Sequence, residues 1–154
     1  MSALIDSSIF LHLLLDGDRA DEAEVLLSSV EEGALRAYTT THVLEEVSFK
    51  LLLGKGSELG ETSFWGFKKR FAKDKEFRKS CLEALETFRD YISSLRGLTI
   101  EEVTLGDWER SVEICRHGLL TSDALLAAVA LRLKVPVYTF DHDFKRVPGL
   151  EVRP

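Results

Sequence analysis

Apolar residues along this chain follow two rhythms: short unbroken runs, and longer stretches of helical period. "SALID" (Ser2 to Asp6) reads as a buried strand ending on an acid, and "FLHLLL" behind it as a first helix. From Asp18 to Glu32, Ala23, Leu26, Leu27 and Val30 recur at i, i+3, i+4 and i+7, which predicts a helix stopped by Gly33. "RAYTT" suits a second strand, and Thr41 to Leu53 a helix ending at Gly54. Two longer helices are expected in Glu61 to Arg96, followed by a third strand, "LTIEEV". Asp107 to His117 reads as a helix closed by Gly118, and Ser122 to Lys134 as another, capped by Thr121 or Ser122. "PVYTF" is the fourth strand and "LEVR" a possible fifth. Strands alternating with helices predict an α/β fold, with a mainly parallel sheet of four or five strands flanked by helices. No repeat, linker or low-complexity tract breaks this order, so residues 1–154 are expected to form one domain.

In such sheets ligands bind outside the carboxyl ends of the strands. Asp6 and Asp141 each stand at such an end, 135 residues apart in sequence but able to share one rim. "VPVYTFDHDF" makes the point locally, since an apolar strand runs straight into Asp141, His142 and Asp143. A polar turn explains three such residues, and so does a site. Asp123 falls in the first turn of its helix, where a carboxylate also complements the macrodipole. Of the adjacent Glu45 and Glu46, the helical wheel puts Glu46 about 115° and Glu45 about 145° from the centre of the buried stripe, so the pattern leans towards Glu46. Clustered carboxylates repel unless a cation neutralises them, and all-oxygen ligands select a hard ion such as Mg²⁺ or Mn²⁺.

Composition narrows the picture. Hydrophobic residues at 45% and charged residues at 30% fit a globular domain. No apolar run reaches the roughly 18 residues of a membrane span. "IFLHLLL" is short, carries His12 and lacks a basic flank, so neither an anchor nor a signal peptide is expected, and a cytoplasmic location is. Cys81 and Cys115 are expected to be reduced and buried. The net charge is −6, against a general nucleic-acid coat protein, but Phe67 to Lys79 holds seven Lys or Arg and two acids, a local +5. This basic stretch, read as one helix that includes Lys68, Lys69 and Arg70, can steer a polyanion towards one face, with a solvated helix face as the alternative. The chain contains no Asn and no Gln. Amide depletion with abundant charge is a thermophile signature, and a melting temperature above ~80 °C is expected.

"ALIDSSIFLHLLL", "YTTTHVLEEVSFKLL" and "LLTSDALLAAVALRLKVPVYTFDHDF", in this order, resemble the PIN-domain nucleases, most closely the VapC-type toxin ribonucleases. The most specific part is the last, with an Asp opening a helix and Thr-x-Asp-x-Asp-Phe ending the next strand. The resemblance implies a single PIN-like domain and a catalytic, metal-binding set of Asp6, Glu46, Asp123 and Asp141, with Asp143 as an accessory acid. The "TTTHVLEE" spacing supports Glu46 over Glu45. Ser8 stands where the family often has Asn, and its hydroxyl is an accessory group able to bond a ligand or water. The resemblance further implies a Mg²⁺- or Mn²⁺-dependent endoribonuclease, usually dimeric and often held inactive by a small antitoxin. The region Glu58 to Arg96 diverges from the family, so substrate choice does not transfer.

Three other readings compete: a PIN nuclease of RNA processing without an antitoxin, a regulatory α/β module that binds Mg²⁺ without cleaving, and a haloacid-dehalogenase-like phosphatase. The last needs its Asp-x-Asp after the first strand, whereas Asp141 and Asp143 come near the end. His12 is expected to pack in the core, His42 to lie near a helix start, and His142 to face solvent. Trp65, Trp108 and the phenylalanines of 64–77 are expected in helical packing or a protein interface rather than stacked on bases.

Overall fold

A computed structural model describes all residues 1–154. The chain forms two compact units, Met1–Leu44 with Leu95–Pro154, and Glu45–Ser94.

The first unit is built on five strands: β1 (Ser2–Ile5), β2 (Arg36–Thr40), β3 (Leu98–Glu101), β4 (Val137–Tyr138) and β5 (Val152–Arg153). They form one sheet in the order β3-β2-β1-β4-β5, and every pair is parallel. β1 is central and its Ala3, Leu4 and Ile5 are fully buried, as strands covered on both faces require. Helices α1 (Ser7–Leu14), α2 (Ala20–Glu31), α6 (Leu105–Ile114) and α7 (Thr121–Leu133) belong to this unit. α7 is its most buried helix, with Ala124 and every residue from Leu126 to Ala130 out of solvent. The chain fills the sheet outward from β1 through β2 to β3, then returns to β1's other side with β4. The strand order therefore reverses between β1 and β4, the switch point at which open α/β sheets bind ligands.

α3 (Thr41–Glu58) begins in this unit and continues into the second, which also holds α4 (Phe64–Lys73) and α5 (Lys75–Ser94). The second unit packs Phe67, Phe77 and Cys81 with Leu52, Leu53 and Phe71. α3 does not stop at Gly54, as its sequence predicts, but runs through Gly54 and Gly56 to Glu58. A Cβ at Gly56 would lie 2.3 Å from Cδ2 of Phe67, so the missing side chain makes room for that ring. The aromatic packing offsets the roughly 1 kcal/mol that glycine costs a helix.

The basic stretch Phe67 to Lys79 is likewise not one helix. It breaks at Asp74, which leaves the helical conformation and accepts from the Phe77 N–H at 3.1 Å. The start of α7 also differs from expectation. Thr121 and Ser122 are already helical, and the N-cap is Leu120, which makes no side-chain capping bond. The start of α6 is capped fully, by reciprocal bonds between Thr104 and Asp107. No single helix is long and apolar enough to cross a membrane.

Candidate active site at the carboxyl ends of β1 and β4

β1 delivers Asp6 to the switch point and α1 starts there. Asp6 is the N-cap of α1, and its backbone N–H donates to Tyr138 O at 3.0 Å, extending the pairing of β1 with β4. Its carboxylate is held by hydroxyls rather than cations. Thr139 Oγ1 donates to Oδ2 at 2.7 Å and Ser8 Oγ donates to the same oxygen at 2.8 Å. Oδ1 receives the longer 3.5 Å contact from Ser7 Oγ. Both hydroxyls are tied back to the β4 turn: the Asp141 N–H donates to Thr139 Oγ1 at 3.0 Å, and the Phe140 N–H donates to Ser8 Oγ at 3.1 Å. One network thus joins Asp6 to the backbone that carries Asp141.

Burial pushes the Asp6 carboxyl above the usual carboxylate range, and the hydrogen bonds from Thr139 and Ser8 oppose this without cancelling it. Asp141 is half-buried and caps the short 3₁₀ turn His142–Arg146, accepting from the Asp143 N–H at 2.9 Å. Asp143 pairs with Arg146 at 3.2 Å. Asp123 is half-buried in the first turn of α7. On α3, Glu46 is half-buried and Glu45 exposed, the order the helical wheel predicts, and Lys50 reaches Glu46 at 3.1 Å.

A family model for the PIN domain matches residues 3–150. The chain belongs to the PIN domain family. Solved structures give this PIN domain the same fold. VapC20 of Mycobacterium tuberculosis, described as a sarcin–ricin-loop-cleaving toxin, aligns with a TM-score of 0.62 at 24% identity, over 99% of each chain. VapBC2 of Rickettsia felis, bound to a DNA fragment from its promoter, aligns at 0.60 and 18% identity, over 99% of this chain and 98% of that one. A toxin–antitoxin complex from Klebsiella pneumoniae aligns at 0.56 and 18% identity, over 99% and 96%. At these identities the likeness is one of fold. A search of curated protein sequences finds no match.

The donor chemistry of this PIN domain fits a hard divalent cation. Asp6, Asp141 and Asp123 offer only carboxylate oxygens, and the Asp6 oxygen less engaged by hydroxyls, Oδ1, is the one available to a ligand. No three His, Cys, Asp or Glu side chains converge on one point at ligand distance.

Sequence reasoning assigned no role to Thr139 or to His42. Thr139 is buried and bonds both Asp6 and the Asp141 backbone. The only signal for it was its place in Thr-x-Asp-x-Asp-Phe. His42 bridges Thr40 and Ser122, and no signal marked it. Elsewhere, His142 is exposed as expected, and Cys81 and Cys115 are free thiols, the first buried and the second half-buried. His12 is half-buried, set edge-on to Phe140 and accepting from the Arg19 N–H. Trp65 is 74% exposed and Trp108 57%, so helical core packing does not account for either.

Proposed function

We propose that this PIN domain is a divalent-metal-dependent endoribonuclease, the toxin of a toxin–antitoxin pair. The observation that carries the reading is the network at the sheet's switch point, where Thr139 and Ser8 hold the Asp6 carboxylate against the backbone of Asp141. A carboxylate kept buried without a cationic partner costs folding energy, and that cost is explained by a ligand it serves. Asp6, Asp123 and Asp141 would hold Mg²⁺ or Mn²⁺. Glu46 joins them on the family pattern, and Asp143 is an accessory acid. A bound cation of this kind lowers the pKa of an attacking water and offsets charge developing on the phosphodiester. The chain's own part is to orient the carboxylates. Thr139 and Ser8 fix one Asp6 oxygen and leave the other forward, and Asp141's turn holds its carboxylate at the rim.

The toxin and toxin–antitoxin structures that share the fold support a cytoplasmic toxin with a small inhibitory protein partner. The exposed aromatics support a homodimer. RNA phosphates are met by Lys68 and Lys69, both exposed on α4. Arg70 is engaged locally: it pairs with Glu61 and Asp74 and lies over the Phe77 ring at 4.3 Å.

The deciding experiment is cleavage of total RNA with Mg²⁺ or Mn²⁺ and with EDTA, followed by end-group analysis. Metal-dependent products bearing 5′-phosphate and 3′-hydroxyl ends are expected. Activity that survives EDTA, or no cleavage of any RNA by protein shown to bind Mn²⁺, overturns the reading. Light scattering that gives a monomer at every concentration removes the dimer.

A further inference from the structure

The start of α7 raises a question of its own. It carries Asp123, yet its N-cap is Leu120, which is 82% exposed and makes no side-chain capping bond. A helix end that must present a ligand accurately is then tied by some other group. His42 reaches it from the β2–α3 junction. His42 Nε2 lies 3.3 Å from the backbone oxygen of Ser122, the residue before Asp123. On the ring's other side, Nδ1 lies 2.6 Å from Thr40 Oγ1. Thr40 is fully buried at the end of β2, and its hydroxyl also accepts from the Val43 N–H at 3.3 Å.

Hydrogen-bond chemistry orders this relay. A carbonyl oxygen can only accept, so Nε2 carries the proton and donates to Ser122. In the neutral ring Nδ1 is then an acceptor, filled by the Thr40 hydroxyl. The relay runs from the rigid sheet end through Thr40 and His42 to the backbone beside Asp123.

We infer that His42 is a positioning residue, which in its Nε2–H form ties the first turn of α7 to the end of β2 and so sets where Asp123 meets the metal. The role rests on the proposed metal site, but the tie itself is measurable without metal. Imidazole nitrogen NMR of the full chain reads a protonated Nε2 and a bare Nδ1 at His42. The opposite tautomer overturns the proposal. Two variants extend the test. His42→Phe removes the donor at similar bulk, and His42→Gln keeps an N–H at about the same reach. Hydrogen exchange of the Ala124 and Leu126 amides should quicken about tenfold in His42→Phe and stay near wild type in His42→Gln. Mn²⁺ affinity by titration calorimetry should fall about tenfold in His42→Phe and recover in His42→Gln. Wild-type exchange or wild-type Mn²⁺ affinity in His42→Phe overturns the role of His42 and leaves the nuclease reading standing. A wild-type chain that binds no Mn²⁺ sinks the nuclease reading, and with it the role toward metal, while exchange and tautomer still report on the tie. Should His42→Phe fold poorly, the tautomer and His42→Gln decide.

Discussion

Asp6 and Asp107 are equally buried, each 3% exposed, yet their surroundings drive them in opposite directions. Burial acts to raise both carboxyls. At Asp107 this is outweighed by Arg132, whose Nε and Nη2 donate to the two carboxylate oxygens at 2.9 and 3.0 Å, and by Thr104, so Asp107 lies below the usual range. Arg132 also reaches Glu101 at 3.2 Å and the Glu102 carbonyl at 2.9 Å, binding α7 to the end of β3 and the start of α6. Asp6 receives hydroxyls and the Ser8 N–H but no cation, and burial prevails. One carboxylate is a finished structural pair. The other, though it caps α1, has no cation beside it, as the proposed metal-ligand role requires.

Substitutions test this contrast, from the largest effect to the smallest. Asp6→Asn, Asp123→Asn and Asp141→Asn should each lower RNA cleavage by roughly 10²–10³-fold, while circular dichroism reports an intact fold. Asp143→Asn should fall in between. Wild-type cleavage by Asp141→Asn would return these acids to turns and caps. Asp6→Asn should hold or raise the stability of metal-free protein. Asp6 has a raised folded pKa, so its ionised form costs stability, and metal-free protein gains stability as pH falls through that pKa.

Asp107→Asn should do the reverse, leaving the cleavage rate of folded protein unchanged but lowering stability by about 2 kcal/mol in urea unfolding. The folded pKa of Asp107 is depressed, so its contribution is present above the unfolded value of about 3.9 and is lost as pH falls through the folded one. A variant as acid-resistant as wild type would contradict the pairing. Glu46→Gln should lose cleavage as the rim acids do, and Glu45→Gln should keep it. Equal rates for the two would remove Glu46 from the site. The mildest expected change is in Lys68→Ala/Lys69→Ala. Weaker RNA binding should come with a log–log salt slope shallower by roughly 0.7 per lost contact and unaltered melting. An unchanged slope would make α4 a solvated face. Arg70 is left out because its pairs with Glu61 and Asp74 would mix stability into the result.

The alternation of buried runs and helical periods determined an α/β fold with a parallel sheet from sequence alone. Arg36–Thr40 is the strand predicted to the residue, because period and punctuation are local properties of a chain. Asp6 and Asp141 stood out as site candidates because each follows an apolar strand run in sequence, and Asp143 because it repeats the acid two residues on. Glu46 was legible as the more buried of Glu45 and Glu46 because side-chain direction on a helix follows from spacing. Tertiary packing alone decided the rest. α3 crosses two glycines because the Phe67 ring occupies the space at Gly56, a contact between residues 11 apart that no local propensity contains. Asp6 and Asp107, both acids beside a helix start, take opposite pKa directions because Arg132 arrives at Asp107 from 25 residues downstream. The partners of Thr139 and His42 likewise lie 133 and 80 residues away in sequence, and hydrogen bonds across such separations exist only once the sheet has brought its strand ends together.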